Sequence, residues 1–510
     1  MPTPHVETPK SPYFQPEVVR LREEASALLR TQTEAYWKNW VSGAPLDVAA
    51  TYQSHDQLLS PASVSVVRNA RRSALGDEAR ALAAFELYLA GEILARTSAP
   101  VADQLAAIEA EGTLSTEAAP PYARLDQLLA GEASADQRAR LYAAAAPVID
   151  KLAPVAQQRR VVLEDEARQL GFASLAEYDG GLHDLDLDAL NELAARTLVA
   201  TQDLYARVMD KLALDELALP LSRVRASDVP RLFRSPPNDI PFGWPRVLPA
   251  AYGVFQGLGI DPEKQAGLHV DAIPAAVKNA RAVCLSIAVP SDVRVSLKPR
   301  SGLEALRDAL FALAQAEQAV HTTRTEWELR LLGPNSPTEA FAFLFQDLAG
   351  PVAGIVNSHD AAVLAVAHHQ AAERLYLLRH DAGLLQFQIA LDTGKLTEPP
   401  ARAWRKIMSA ADGFPLTEPD SRRWIIEDDP YLEASDPFVA WILAAQVQEY
   451  LTRSFGEHWW TSPAAGAQLR SLWTQGHRLT VDDVLGWIGA KQLDPTPLVS
   501  RLARQLESGT

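Results

Sequence analysis

Apolar residues recur at helical spacing along almost all of residues 14–220. In VVRLREEASALLRTQTEAYWKNWVSG, the residues Val19, Leu21, Ala25, Leu28, Leu29 and Trp37 fall near one face, and Gly43 supplies a C-terminal stop. Similar Ala/Leu/Arg/Glu segments predict helices over 77–97, 101–111, 122–130, 136–171 and 187–214, separated by the breakers SAPV, AAPPYA and GG. Ala and Leu are strong helix formers, so propensity agrees with periodicity.

The pattern changes between 215 and 300. RSPPNDIPFGWPRVLP is dense in proline and predicts an ordered, irregular crossing. CLSIAV (284–289), a turn at PSD and VRVSLKP (293–299) then predict a β-hairpin. In the second arm Val293, Val295 and Leu297 alternate with Arg294, Ser296 and Lys298. After Gly302 helical spacing returns over 303–321, 337–348, 359–394, 401–411, 436–455 and 463–475, with a closing pair near 481–508. The expectation is a mainly α chain with one small β insert (about 284–299), divided into an N-terminal helical part (1–220) and a C-terminal part (221–510). No internal repeat is evident.

Composition narrows the function classes. Hydrophobic residues make up 47% and charged residues 22%, which excludes disordered and collagen-like chains. A lone cysteine, Cys284, cannot close an intramolecular disulfide. The opening MPTPHVETPK has no apolar core, and no stretch approaches the roughly 18 apolar residues of a membrane span. A cytoplasmic protein without a membrane partner is therefore expected. Forty-eight Lys+Arg against 64 Asp+Glu give a net charge of -16, and no basic stripe offsets it, so nucleic acid is not an expected partner.

Four segments carry a family resemblance: RAVCLSIAVPSDVRVSLKPRSG (281–302), LEALRDALFALAQAEQAVHTT (303–323), LGPNSPTEAFAFLFQDL (332–348) and WILAAQVQEYLTRSFGEHWWTSPAAGAQLRSLWTQGHRLTVDDVL (441–485). Together they resemble the thimet-oligopeptidase and oligoendopeptidase F group of helical zinc metallopeptidases. The likeness covers the C-terminal half; the N-terminal half matches in helical character alone. It implies an elongated body of two lobes around a cleft, with a hairpin leading into the catalytic helix. That chemistry needs HExxH, because His at i and i+4 share one helix face and one zinc ion while the Glu acts as general base. There is no HExxH in the chain. No register along 311–321 places two histidines at i and i+4. Glu339 remains where the resemblance places the third ligand, and one carboxylate does not hold a catalytic zinc. The resemblance also implies tyrosines and an arginine just before 441, where DDPYLEASDPFVA supplies Glu433, Asp436, Pro437 and the single phenol Tyr431.

Other constellations are weaker. His369 and Glu373 stand at i,i+4, but His380 lies about 16 Å from His369 along a helix axis, so the two histidines cannot share one ion. His321 reads as a helix-end or buried histidine, and Glu339, just after Pro337, as a first-turn carboxylate or an inherited site position. GxSxG is absent, Cys284 lies in an apolar strand, Gly180-Gly181 lack a phosphate-loop context, and Trp459 and Trp460 read as packing anchors.

Peptidases of this kind pair an extended peptide with the strand beside the catalytic helix, and that mode needs no metal. The leading expectation is a pseudopeptidase without metal or cofactor, binding a peptide, a peptide-like small molecule or a partner protein through Arg294, Ser296 and Glu339. One rival is a metal-independent enzyme in which Glu317, His321, Glu339 and Tyr431 converge as acid/base groups. Another is a non-catalytic subunit paired with an intact homologous protein.

Overall fold

The computed structural model describes residues 11–234, 243–356 and 361–507. The fold is mainly α, with one three-stranded sheet among the described residues. Helix α1 (Pro16–Ser42) buries Val18, Leu21, Ala25 and Leu28, so its inward stripe is set by Val18 and not Val19, and it ends at Gly43 in the left-handed conformation (φ 66°) that glycine adopts without a Cβ clash. The break expected at SAPV is absent. Helix α2 (Gly76–Glu111) runs through Pro100 because its neighbours Leu94, Ser98 and Val101 are buried and the helix packs along α3 (Ala146–Gln169). A mid-helix proline costs about 3 kcal/mol, and burial of two apolar side chains at roughly 1.5–3 kcal/mol each offsets it.

Helix α4 (Leu175–His183) contains Gly180 and Gly181 within its last turns, where a Cβ on Gly181 would lie 3.3 Å from Leu87. The pair serves helix crossing. Helix α5 (Leu187–Leu217) follows and places Leu193, Tyr205 and Met209 in a core shared with Leu378, Leu385, Phe438 and Leu502. A second core joins Phe85, Leu89 and Tyr178 to Trp327 and Leu329. Apolar burial therefore crosses residue 220 at both places.

Within the proline-dense run, 235–242 lies outside the described residues. Its continuation corrects the expected irregular crossing, since α6 (Trp244–Gly257) is helical with Pro245 at its first turn and Pro249 inside. Val247, Ala251, Val254 and Phe255 are buried at helical spacing, and that apolar stripe overrides the missing donors.

The sheet has the order β1-β3-β2. Strands β2 (Val283–Ala288) and β3 (Asp292–Ser296) form the expected antiparallel hairpin, with Cys284 opposite Val295 and Ser286 opposite Val293. Strand β1 (Leu268–Asp271) adds in parallel to the other side of β3. Helix α7 (Leu303–His321) lies on one sheet face, where Val293 and Val295 join Leu306, Leu310 and Leu313 in a third core. Helix α1 meets the opposite face, with the Arg294 guanidinium 5.8 Å from the Trp37 ring.

Two short helices, α8 (Trp327–Leu331) and α9 (Ser336–Gln346), lead to α10 (Ala361–Asp392), which packs on α5. Helix α9 lies between α7 and α11 (Ser435–Phe455), and α12 (Pro463–Trp473) closes the same core with Trp473, while Trp459 stacks edge-on to Phe345. Both Trp459 and Trp460 are buried packing residues.

Candidate functional site: a polar cavity beneath an edge strand

Residues directly opposite one another in an antiparallel pair share a sheet face. Cys284 and Ser286 therefore stand on the α7 side, at the outer edge of the sheet. Beneath them is a cavity of about 170 Å³. Helix α7 and the residue that caps it, Thr322, supply its floor, with Gln315, Gln318 and Ala319 at the i, i+3 and i+4 positions of one helix face. The Gln318 amide donates to the carbonyls of Ala314 (3.1 Å) and Thr338 (3.0 Å), tying α7 to the first turn of α9. The Thr322 hydroxyl donates to the Gln318 carbonyl at 3.0 Å.

The remaining wall comes from Arg330, Asn335, Thr338, Trp473 and His477. The Arg330 guanidinium donates through Nη1 to the Val289 carbonyl at 3.2 Å, which fixes it just beyond the end of β2. Burial holds His477 below the ordinary imidazole range, so it is neutral at pH 7. Trp473 Nε1 and Arg330 Nε are buried and have no hydrogen-bond partner among the described residues. A second cavity, of about 360 Å³, shares Asn335 and His477 with the first and extends to Leu87, Tyr88 and Gly181 on α2 and α4.

Amides, hydroxyls, an indole and a guanidinium are poor zinc ligands. Among the described residues there is no group of three or more His, Cys, Asp or Glu placed to hold a metal ion. The donor set on this face of α7 does not fit a catalytic zinc ion.

The residues singled out from the sequence fall in four different surroundings. Glu317 is fully buried, and its partner is His321, whose Nδ1 lies 3.3 Å from Glu317 Oε2 and 2.8 Å from the Glu317 carbonyl oxygen. Burial pushes the Glu317 carboxyl up and His321 partly opposes that rise. Neither residue lines the cavity. Glu339 occupies the first turn of α9, beside Asp436 and His183. Desolvation, reinforced by the Asp436 charge, pushes its carboxyl up to about 7 although a helix N-terminus favours an anion. The Tyr431 ring lies 5.8 Å from the Arg159 guanidinium, and burial raises its phenol. Among the described residues, none of Glu317, His321, Glu339 and Tyr431 lines the cavity beneath β2.

Arg294 and Ser296 correct the expected ligand strand. Both lie on β3, which has a neighbour on each side, so VRVSLKP has no edge left to pair with a ligand. Arg294 makes a two-pronged ion pair with Asp292 (2.8 and 2.6 Å) on the face turned to α1, and Ser296 is buried. Strand β2 is the half-buried edge beside the cavity, and among the described residues no hydrogen bond outside its ladder reaches the backbone of 283–287.

One cluster went unread in the sequence. His183 at the end of α4 donates from Nδ1 to Asp436 (3.0 Å) and from Nε2 to the Tyr431 carbonyl (2.7 Å), while Ser336 donates to the other Asp436 oxygen at 2.6 Å. Two acceptors on one imidazole favour the doubly protonated ring, and Asp436 raises its pKa against desolvation. Ser, His and Asp are present, but Asp436 sits between the other two. His183 therefore has no path to deprotonate Ser336, and the set is structural. No motif spacing links positions 183, 336 and 436.

His369 lies 3.4 Å from the Phe233 carbonyl and His380 pairs with Asp412 at 3.0 Å, so the two stand in separate environments. Burial pushes the Cys284 thiol up to about 12, which removes it as a nucleophile. No helix among the described residues is long and apolar enough to cross a membrane. No known protein family matches the chain, and no curated protein is significantly similar to it.

Proposed function

We propose that the chain is a non-hydrolytic protein of thimet-oligopeptidase-like build that holds an extended peptide, or a peptide-like small molecule, along the outer edge of β2. The observation that carries this reading is a strand edge left unpaired among the described residues, above a cavity lined largely by hydrogen-bonding side chains with no metal-ligand set among the described residues. A strand of six residues offers alternate backbone N–H and C=O groups on its outer side. Each main-chain hydrogen bond contributes about 0.5–1.5 kcal/mol net, and side chains of the ligand entering the cavity supply selectivity. Backbone pairing and amide contacts hold a chain without activating water, so binding is the chemistry that these groups support.

The test combines metal and cleavage. Protein given equimolar zinc and then desalted is expected to retain less than about a tenth of an equivalent, and to leave a mixed-sequence tetrapeptide pool intact by mass spectrometry. Stoichiometric zinc together with zinc-dependent cleavage would overturn the proposal.

A further inference from the structure

The cavity beneath β2 is unbalanced in charge. Among the described residues, Arg330 is the single ionised side chain in its wall, His477 is neutral, and no Asp or Glu lines it. Arg330 makes no ion pair among the described residues; its one protein bond is to the Val289 carbonyl. A half-buried guanidinium without a counter-charge is an unfavourable arrangement that an anion relieves. Other donors stand around it in the same wall. Gln315 presents an amide, Ser286 a hydroxyl, and Trp473 an indole N–H that is otherwise unpartnered.

We infer that this cavity takes a carboxylate of the bound ligand, held by the Arg330 guanidinium with Trp473, Ser286 and Gln315 as neutral donors. The inference rests on the strand-edge reading above and names the chemistry that the ligand must carry. A planar guanidinium fork matches a carboxylate through two parallel hydrogen bonds, which a lysine does not reproduce. The volume, about 170 Å³, is close to that of cavities that admit a benzene ring, so a carboxylate with a short stem fits within it. The carboxylate has two possible sources, the end of a peptide or an Asp or Glu side chain. Arg330 is tied just past the C-terminal end of β2, so a chain-terminal carboxylate requires the ligand to run parallel to β2. An acidic side chain imposes no direction.

The experiment uses the full chain with its 11 tryptophans replaced by 5-fluorotryptophan, the Trp473 signal being assigned with Trp473→Phe. Three probes are titrated while fluorine NMR follows that signal: a mixed-sequence tetrapeptide pool with free carboxyl ends, the same pool amidated and without acidic residues, and an amidated pool with one Glu. At least one acidic pool is expected to bind about tenfold or more tighter than the neutral pool. Arg330→Gln should abolish that preference and Arg330→Lys should retain part of it, with circular dichroism confirming that both variants fold. Preference for the free-end pool identifies a terminal carboxylate, and preference for the Glu pool a side chain. Equal binding of all pools would overturn the carboxylate inference and leave the strand-edge reading standing. Failure of every pool to move Trp473 would overturn both. Inorganic phosphate binding as tightly as the better acidic pool would mark a general anion site and also overturn the assignment.

Discussion

Glu339→Gln is a sharp test of the electrostatics at the start of α9. The Glu339 carboxyl is pushed from its ordinary 4.5 to about 7, first by burial and then by the Asp436 charge, with His183 in partial opposition. Its side chain makes no hydrogen bond among the described residues. A carboxyl that is harder to ionise in the folded chain destabilises the fold wherever the unfolded chain would ionise it. Below about pH 4.5 both states are protonated and the cost vanishes; it grows as pH rises and is complete above about 7. The gap corresponds to about 3 kcal/mol, an upper figure because the residue is only partly buried. Glutamine keeps the shape and removes the charge. With an unfolding entropy near 2.1 cal/mol/K per residue, 510 residues unfolding together turn that energy into a Tm rise of about 3 °C. Scanning calorimetry of the two proteins at pH 5 and pH 8 is the assay. The variant should nearly match the parent at pH 5 and exceed it at pH 8. An equal or lower Tm at pH 8 would show that the carboxylate is solvated or paired and would refute the reasoning.

Asp436→Asn breaks the buried pair with His183 and should cost about 3–5 kcal/mol. His183 is held above its ordinary 6.5 and Asp436 below its ordinary 3.8, so the loss should be full between those values and shrink as pH rises through the raised histidine pKa; a deficit that does not vary with pH in Tm profiles would contradict this. Gly466→Ala places a Cβ 1.9 Å from the Leu258 carbonyl oxygen and should destabilise by about 1–3 kcal/mol or more, measured by thermal unfolding, whereas no change would mean that α12 is free to move away from α6. Cys284 should resist iodoacetamide at pH 8 in the folded chain and react once denatured, because burial pushes its thiol up to about 12; rapid alkylation of the native protein would place the thiol in solvent.

Helix α7 was legible to the residue, since an apolar stripe of Leu and Ala begins immediately after Gly302, which adopts φ 109°. The hairpin was legible for the same local reason, alternation on either side of a short turn. Strand β1 was not, because four residues, LHVD, are too short for alternation to register. That omission mattered. Without β1 in view, β3 reads as the free strand, and Arg294 and Ser296 read as ligand contacts, although they stand at the sheet centre. Helix α6 was hidden by Pro245 and Pro249, whose local effect tertiary burial of Val254 and Phe255 outweighs. At the site, Gln315 and Gln318 fell within the 311–321 stretch that carries no histidine pair, but nothing in the sequence marked them, or Thr322, as cavity residues. Arg330 and His477 reach the same cavity from 8 to 155 residues further on, and no periodicity encodes a meeting at that range.

Hydrogen exchange read by mass spectrometry, with and without the mixed-sequence tetrapeptide pool, tests the central claim most directly. The account predicts slowed exchange in fragments covering Val283–Ala288, with the pool recovered intact from the same sample. Unchanged exchange in β2, or loss of pool peptides by cleavage, would contradict it.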